Sequence, residues 1–264
     1  MKAVYRFFRP TLYKLVFTIE WLGFLLLTVA LRRSIEPDLL LVALWPLLLF
    51  YGLGCALVAW SRRAERLAGG RGMVLLVVGM VALDQVSKAV AAAFLPPDTS
   101  LPVIEGWLHV ANVRNTSGSW LGLAWLRPVL ALAATLVLPL SVIVYRYYVY
   151  TKRRSLWVDL TFVGVFAGYV SWLIDIYVRG YVVDVIYVPG LVAVDLKDLF
   201  LSLGICVVVE VLDNPDISLH SGGWRAEIES TRRLVPGLAA FTAAELHTCW
   251  IAILESIRSP KKKS

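Results

Sequence analysis

The chain has 264 residues, 59% of them apolar and only 17% charged, with a mean hydropathy of +0.72. Soluble domains average roughly 45–50% apolar and about 25% charged residues, so a soluble fold is excluded. Disorder, which needs low hydrophobicity, and collagen-like or disulfide-rich chains, which 18 Gly and 3 Cys do not suit, are excluded with it. The formal charge of +7 reads as membrane topology from where the charges sit, and no nucleic-acid partner is expected.

A membrane-spanning helix needs about 20 apolar residues. Residues 15–31, 39–60, 73–94, 128–146, 156–177 and 198–212 meet or approach that, the last being short. These runs do not alternate as barrel strands would. The first run ends in Arg32-Arg33 without a small-residue cleavage site and is expected to stay as a helix. Residues 95–125 form a long connection with a strand-like patch from Leu108 to Val113. The expected fold is therefore an all-α polytopic membrane protein of about six transmembrane helices with a small β element in the outer loop 95–125. Residues 213–264 begin polar and turn amphipathic. Leu246, Trp250, Ile253, Leu254 and Ile257 share one helical face, which predicts a helix lying on the inner membrane surface.

Nineteen of the 26 Lys and Arg residues fall in the N-terminal segment, the 61–72 and 146–155 loops and the tail. The positive-inside rule then predicts a multi-pass protein of the cell membrane with both termini cytoplasmic. Cys55, Cys206 and Cys249 lie in or near apolar runs and are expected to be small buried hydrophobes. His109, His220 and His247 are scattered, so neither a metal site nor an organic cofactor is expected.

Ionisable side chains inside spans are costly and mark function by default. Asp84 and Lys88 lie four apart on one helix face. Asp175 ends the fifth span, Asp184 lies in the outer loop, and Asp195 and Asp198 begin the sixth. By this topology they converge near the outer face. Two neighbouring carboxylates share a proton, so that one activates water while the other protonates a carbonyl. The spacing also fits other roles: Asp198 as a helix cap, Asp84 with Lys88 as an i,i+4 ion pair, or an aspartate-lined cation path.

The motifs occur in a characteristic order. Leu83-Asp84-Gln85-Val86-Ser87-Lys88 comes first. Leu95-Pro96-Pro97 and Leu101-Pro102-Val103-Ile104-Glu105-Gly106 lead to Val113-Arg114-Asn115-Thr116-Ser117-Gly118-Ser119-Trp120. Leu173-Ile174-Asp175 precedes Arg179-Gly180-Tyr181-Val182-Val183-Asp184-Val185-Ile186, and Asp195-Leu196-Lys197-Asp198 is followed by Gly204. As a set, residues 73–212 resemble the lipoprotein signal peptidase family, signal peptidase II. The resemblance implies a four-span aspartic endopeptidase that needs no cofactor. It would cut the signal peptide of a lipid-modified prolipoprotein before the lipidated cysteine, in contact with membrane lipids. By position it assigns Asp184 and Asp198 as the catalytic pair, and Asp84, Lys88, Asn115, Asp175, Arg179 and Asp195 as supporting or substrate-binding residues. It also divides the chain into two additional N-terminal transmembrane helices (1–72), a catalytic core (73–212) and a cytoplasmic tail (213–264).

The chain departs from the family pattern at several points. Ser171-Trp172 stands for Gly-Asn, Ile176 for the Arg that follows the aspartate, and Asp195 for Asn. Ser117 stands where Gly is expected. The Asn-to-Asp exchange adds negative charge beside the pair, and the missing Arg removes a compensating cation. A non-catalytic module that binds lipid or a signal helix is the rival reading these departures favour. An ion or proton pathway is a third, opposed by the clustering of the charges at one face.

Overall fold

The computed structural model describes residues 2–32, 40–117, 124–213, 236–248 and 250–251. Five of the described helices are long and apolar enough to cross a membrane. They are α2 (Leu12–Arg32), α3 (Leu40–Ser61), α4 (Gly70–Phe94), α5 (Arg127–Thr151) and α6 (Leu156–Ile174), with a short α1 (Lys2–Phe8) before them. The sixth apolar stretch is helical but broken into α7 (Leu196–Leu201), a 3-10 turn at Ser202–Ile205 and α8 (Cys206–Asp213). The Ser202 hydroxyl donates to the Leu199 carbonyl at 2.8 Å, and Gly204 follows, so local bonding competes with a continuous α-helix.

The β element is larger than expected. Strands β1 (Ser100–Ile104) and β2 (Leu108–Asn115) form a hairpin within the 95–125 connection, where a small β element was expected, and β3 (Val182–Val188) and β4 (Val192–Val194) extend it to a four-stranded antiparallel sheet in the order β1-β2-β3-β4. Between β3 and β4, Pro189 and Gly190 occupy the centre of a turn closed by Leu191 N–H to the Val188 carbonyl at 3.0 Å. Gly190 sits at φ +72°, as a type II turn requires.

Two compact units are present, one comprising residues 1–141 with 154–213 and the other 142–153 with the tail. In the first, α2 and α3 are packed into the same body as the later helices. Val16, Phe17, Leu57 and Val58 share a core cluster with Trp157, Leu160, Cys206 and Val209. Leu25, Val42 and Ala43 share another with Val188, Leu191 and Val192 of the β3–β4 hairpin. Cys55 and Cys206 are buried. In the second unit residues 236–248 and 250–251 are helical. There Phe241 meets the rings of Tyr147 and Tyr150 at 5.5 Å each, and Glu245 pairs with Arg146 at 2.9 Å. Leu246 and Trp250 of the expected amphipathic face are exposed, while Ile253, Leu254 and Ile257 lie outside the described residues.

Glycine allows α6 and α7 to touch. A Cβ at Gly164 would lie 2.5 Å from the Phe200 carbonyl oxygen and 2.6 Å from Leu203 Cβ. A backbone atom cannot yield as a side chain would, so Gly164→Val should destabilise the fold by about 1–3 kcal/mol. Gly79→Ala, where a Cβ meets nothing within 4 Å, should leave stability unchanged or improve it by up to about 1 kcal/mol. Thermal unfolding in detergent micelles separates the two.

Candidate active site

The site begins with a charge in an apolar bundle. Lys88 on α4 is almost wholly buried. Its Nζ lies 2.6 Å from Asp84, 2.5 Å from Asp175 and 2.6 Å from Asp195. An ammonium and three carboxylates removed from water survive only by compensating one another. The remaining lone pairs are also used. Asp84 accepts from the Ser171 hydroxyl, from Gln85 and, through Oδ1, from the Lys197 amide at 3.0 Å. Asp175 accepts from Gln85 Nε2 at 3.2 Å and pairs with Arg179 at 2.5 Å.

The Arg179 contact corrects one expectation. The cation missing at position 176 is supplied from position 179, the i,i+4 partner of Asp175, and residues Asp175–Arg179 form a π-helical turn ended by Gly180 at φ +77°. Such turns are rare and concentrate at functional sites. Arg179 also donates to Gln85 Oε1 at 2.6 Å. Ser171, in place of a glycine, supplies the hydroxyl that meets Asp84.

Strand β3 carries Asp184. Alternation along the strand turns Val183 and Val185 onto Ala91 of α4, and Val182 and Asp184 to the other face. Asp184 stands opposite Val113 in the ladder, with Asn115 two residues further along β2 on the same face. Asn115 Nδ2 donates to Asp184 Oδ2 in a long bond of 3.5 Å. Asp198 comes from α7, whose first turn is closed by a capping box. Asp195 Oδ1 accepts the Asp198 amide and Asp198 Oδ2 accepts the Asp195 amide, both at 3.2 Å. The capping role considered for Asp198 is therefore real, and it holds that carboxyl in place.

The aspartates form two overlapping groups. Asp84, Asp175 and Asp195 surround Lys88, while Asp184, Asp195 and Asp198 bring their carboxylate oxygens within 4.8 Å of one another. Asp195 belongs to both. Lys197 closes the second group, with its Nζ 2.6 Å from Asp195 and 3.4 Å from Asp198. This buried lysine was not among the expected site residues. It offsets the charge that Asp195 adds, so the anticipated uncompensated excess beside the pair is not present. The one available signal was a lysine between two aspartates at the start of an apolar helix. Each aspartate group thus already holds an ammonium where a cation would sit.

Burial pushes the Asp184 carboxyl up to about 8. Lys197 opposes the rise, while Asp195 and Asp198 add to it and the Asn115 hydrogen bond moderates it. Asp195 is raised too, by burial first and then by Asp198, against the pull of Lys197 and Lys88. The Asp198 side chain, 39% exposed, is the more open of the pair. Both face a cavity of about 650 Å³ whose walls are apolar residues of α2, α5 and α6.

Comparison with known proteins places this geometry. The profile of the family described as Signal peptidase (SPase) II matches residues 76–212. The lipoprotein signal peptidase of Caldanaerobacter subterraneus subsp. tengcongensis is 30% identical over 136 residues, which covers 51% of this chain and 91% of that protein. Two solved structures of a bacterial membrane enzyme, obtained by the in meso method, also align. One is 23% identical over 57% of this chain and 98% of its own, and the other 21% identical over 60% and 98%, each with a TM-score of 0.47. A profile that spans more than half of the chain, with a curated relative matched over nearly its whole length, makes this multi-pass membrane protein a member of the signal peptidase II family.

Proposed function

We propose that the protein is an aspartic endopeptidase that removes signal peptides from lipid-modified prolipoproteins. The observation that carries the reading is the approach of Asp184 and Asp198 to within 4.8 Å at the end of an apolar cavity. A water between them can lose a proton to one carboxylate while the other protonates the scissile carbonyl. Asp184, kept protonated by burial, is the acid. Asp198, more exposed, with Lys197 beside it, is the base that activates water. The proton count belongs to the pair as a unit. Asn115 orients Asp184, and Asp84, Lys88, Asp175, Arg179 and Asp195 hold α4, α6 and α7 in register beneath it.

The rival reading, a non-catalytic module that binds lipid or a signal helix, draws on Lys197, which ties Asp198 of the pair into an ion pair at 3.4 Å. Both readings are tested by Asp184→Asn and Asp198→Asn. In a protease each abolishes processing by several orders of magnitude, and the double variant loses little more, because residues acting as one unit are non-additive. Asp213→Asn serves as the control. The readout is accumulation of uncleaved lipidated precursor on a gel. Near-normal cleavage in either single variant removes the pair from the mechanism. Loss of cleavage in the unaltered chain favours the module.

The raised Asp184 also makes a prediction about stability. Its folded value of about 8 lies above the ordinary 3.8, so the folded chain holds a proton that the unfolded chain releases. Stability from this group is full below about pH 4 and is lost as pH climbs to about 8. Asp184→Asn should flatten that slope, giving a variant whose melting temperature, relative to the unaltered chain, improves between pH 4 and 8. A parallel pair of pH profiles would discount the burial of an ionisable carboxyl there.

For topology, we propose both termini cytoplasmic and the pair near the outer face. In a chain whose native cysteines are replaced, Ser100→Cys should react with an impermeant thiol reagent in intact cells and Arg153→Cys should not. The reverse pattern inverts the orientation.

A further inference from the structure

The cavity has a wall that does not belong to the family-matched segment. Gly23, Phe24 and Leu27 of α2 line it, facing Leu130 and Val137 of α5 across the space above Asp184 and Asp198. The profile match begins at residue 76, so α2 is an addition to the core.

Its position is built in. The Trp21 indole donates to the Ala43 carbonyl at 2.7 Å, and its ring stacks on Phe24 at 4.9 Å and on Phe50 at 6.0 Å. Leu25, one residue beyond Phe24, packs on Leu191 and Val192 of the hairpin that links Asp184 to Asp195. Lower on the helix, Phe17 meets Trp157 with ring centroids 6.4 Å apart. Thus α2 is anchored just before the stretch that faces the cavity, at Phe17 and Trp21, and within it, at Phe24 and Leu25. At the start of that stretch stands Gly23, and a Cβ there would meet nothing within 4 Å. The absent side chain is not needed for packing against a neighbour, and it leaves open space in the wall of the cavity that Asp184 and Asp198 also line.

We propose that α2 is the specificity wall of this cavity, with Gly23, Phe24 and Leu27 setting the size of the aliphatic group of the substrate that seats next to Asp184 and Asp198. The proposal rests on the protease reading. The wall is apolar and the polar groups lie at one end, so the chemistry it accepts is an aliphatic chain joined to a hydrolysable carbonyl. That chain is either an acyl chain on the lipidated cysteine or a side chain of the signal peptide beside the scissile bond.

Two substrate series separate these sources: precursor peptides with short or long acyl chains, and precursors with alanine or leucine before the scissile bond. Gly23→Trp fills the open space and should lower kcat/KM for the larger member of one series by about tenfold more than for the smaller. Phe24→Ala should shift the same ratio the other way. Leu22→Trp, one residue earlier and about 100° around the helix, on an exposed face, should leave both ratios unchanged. Ratios unaltered in both series by Gly23→Trp, or altered equally by Leu22→Trp, overturn the proposal.

Should the unaltered chain cleave no precursor, the protease reading fails and the wall is tested by contact. A photoreactive phenylalanine derivative at position 23 should cross-link a long-acyl precursor peptide, and the same group at position 22 should not. Cross-linking at both positions or at neither overturns the wall.

Discussion

One buried ammonium organises one end of the bundle. Lys88 from α4 gathers Asp84 from its own helix, Asp175 from the end of α6 and Asp195 from the start of α7, each within 2.6 Å. Charges taken into an apolar medium must be matched locally, because leaving one unpaired costs several kcal/mol. Three cations, Lys88, Arg179 and Lys197, answer Asp84, Asp175 and Asp195. Asp184 and Asp198 are the carboxyls left over. They can share one proton because the rest of the cluster is neutralised beneath them.

The sequence made part of this readable. Acidic residues and a lysine inside hydrophobic runs stand out against their surroundings, so Asp84, Lys88, Asp175, Asp195 and Asp198 could be singled out one by one. Their grouping could not. The sharing of Asp195 between two clusters depends on the capping geometry of α7. Arg179 stands four residues after Asp175, a spacing that suits any exposed helical ion pair as well, and the π-helical turn there has no clear sequence signature. Lys197 did not stand out, because a lysine at a span boundary ordinarily faces water.

The sheet was half legible for a related reason. Strands β1 and β2 sit in a connection long enough to suggest internal structure. Strands β3 and β4 lie in a short link between two apolar segments, where valines at consecutive positions read equally well as the end of a helix. Only the Pro189-Gly190 pair marked the turn. The association of α2 and α3 with that hairpin was also hidden, since apolar helices carry little sign of which neighbour they choose. The N-terminal pair looked like an appendage in sequence, yet in the fold it supports the strand-to-helix path that connects Asp184 with Asp198.

The bond from the Lys197 amide to Asp84 has a dynamic corollary. It ties the first turn of α7 to α4 through buried backbone, so α7 cannot tilt away without stranding Asp84 and Lys88 in a medium that has no water to rescue them. Space for a bulky molecule lies on the other side of the cavity, where α2 and α5 meet it through aliphatic and aromatic side chains. The site thus combines a stiff polar floor with apolar walls. A hydrolytic centre can in this way keep ångström-scale alignment while embedded in a two-dimensional fluid.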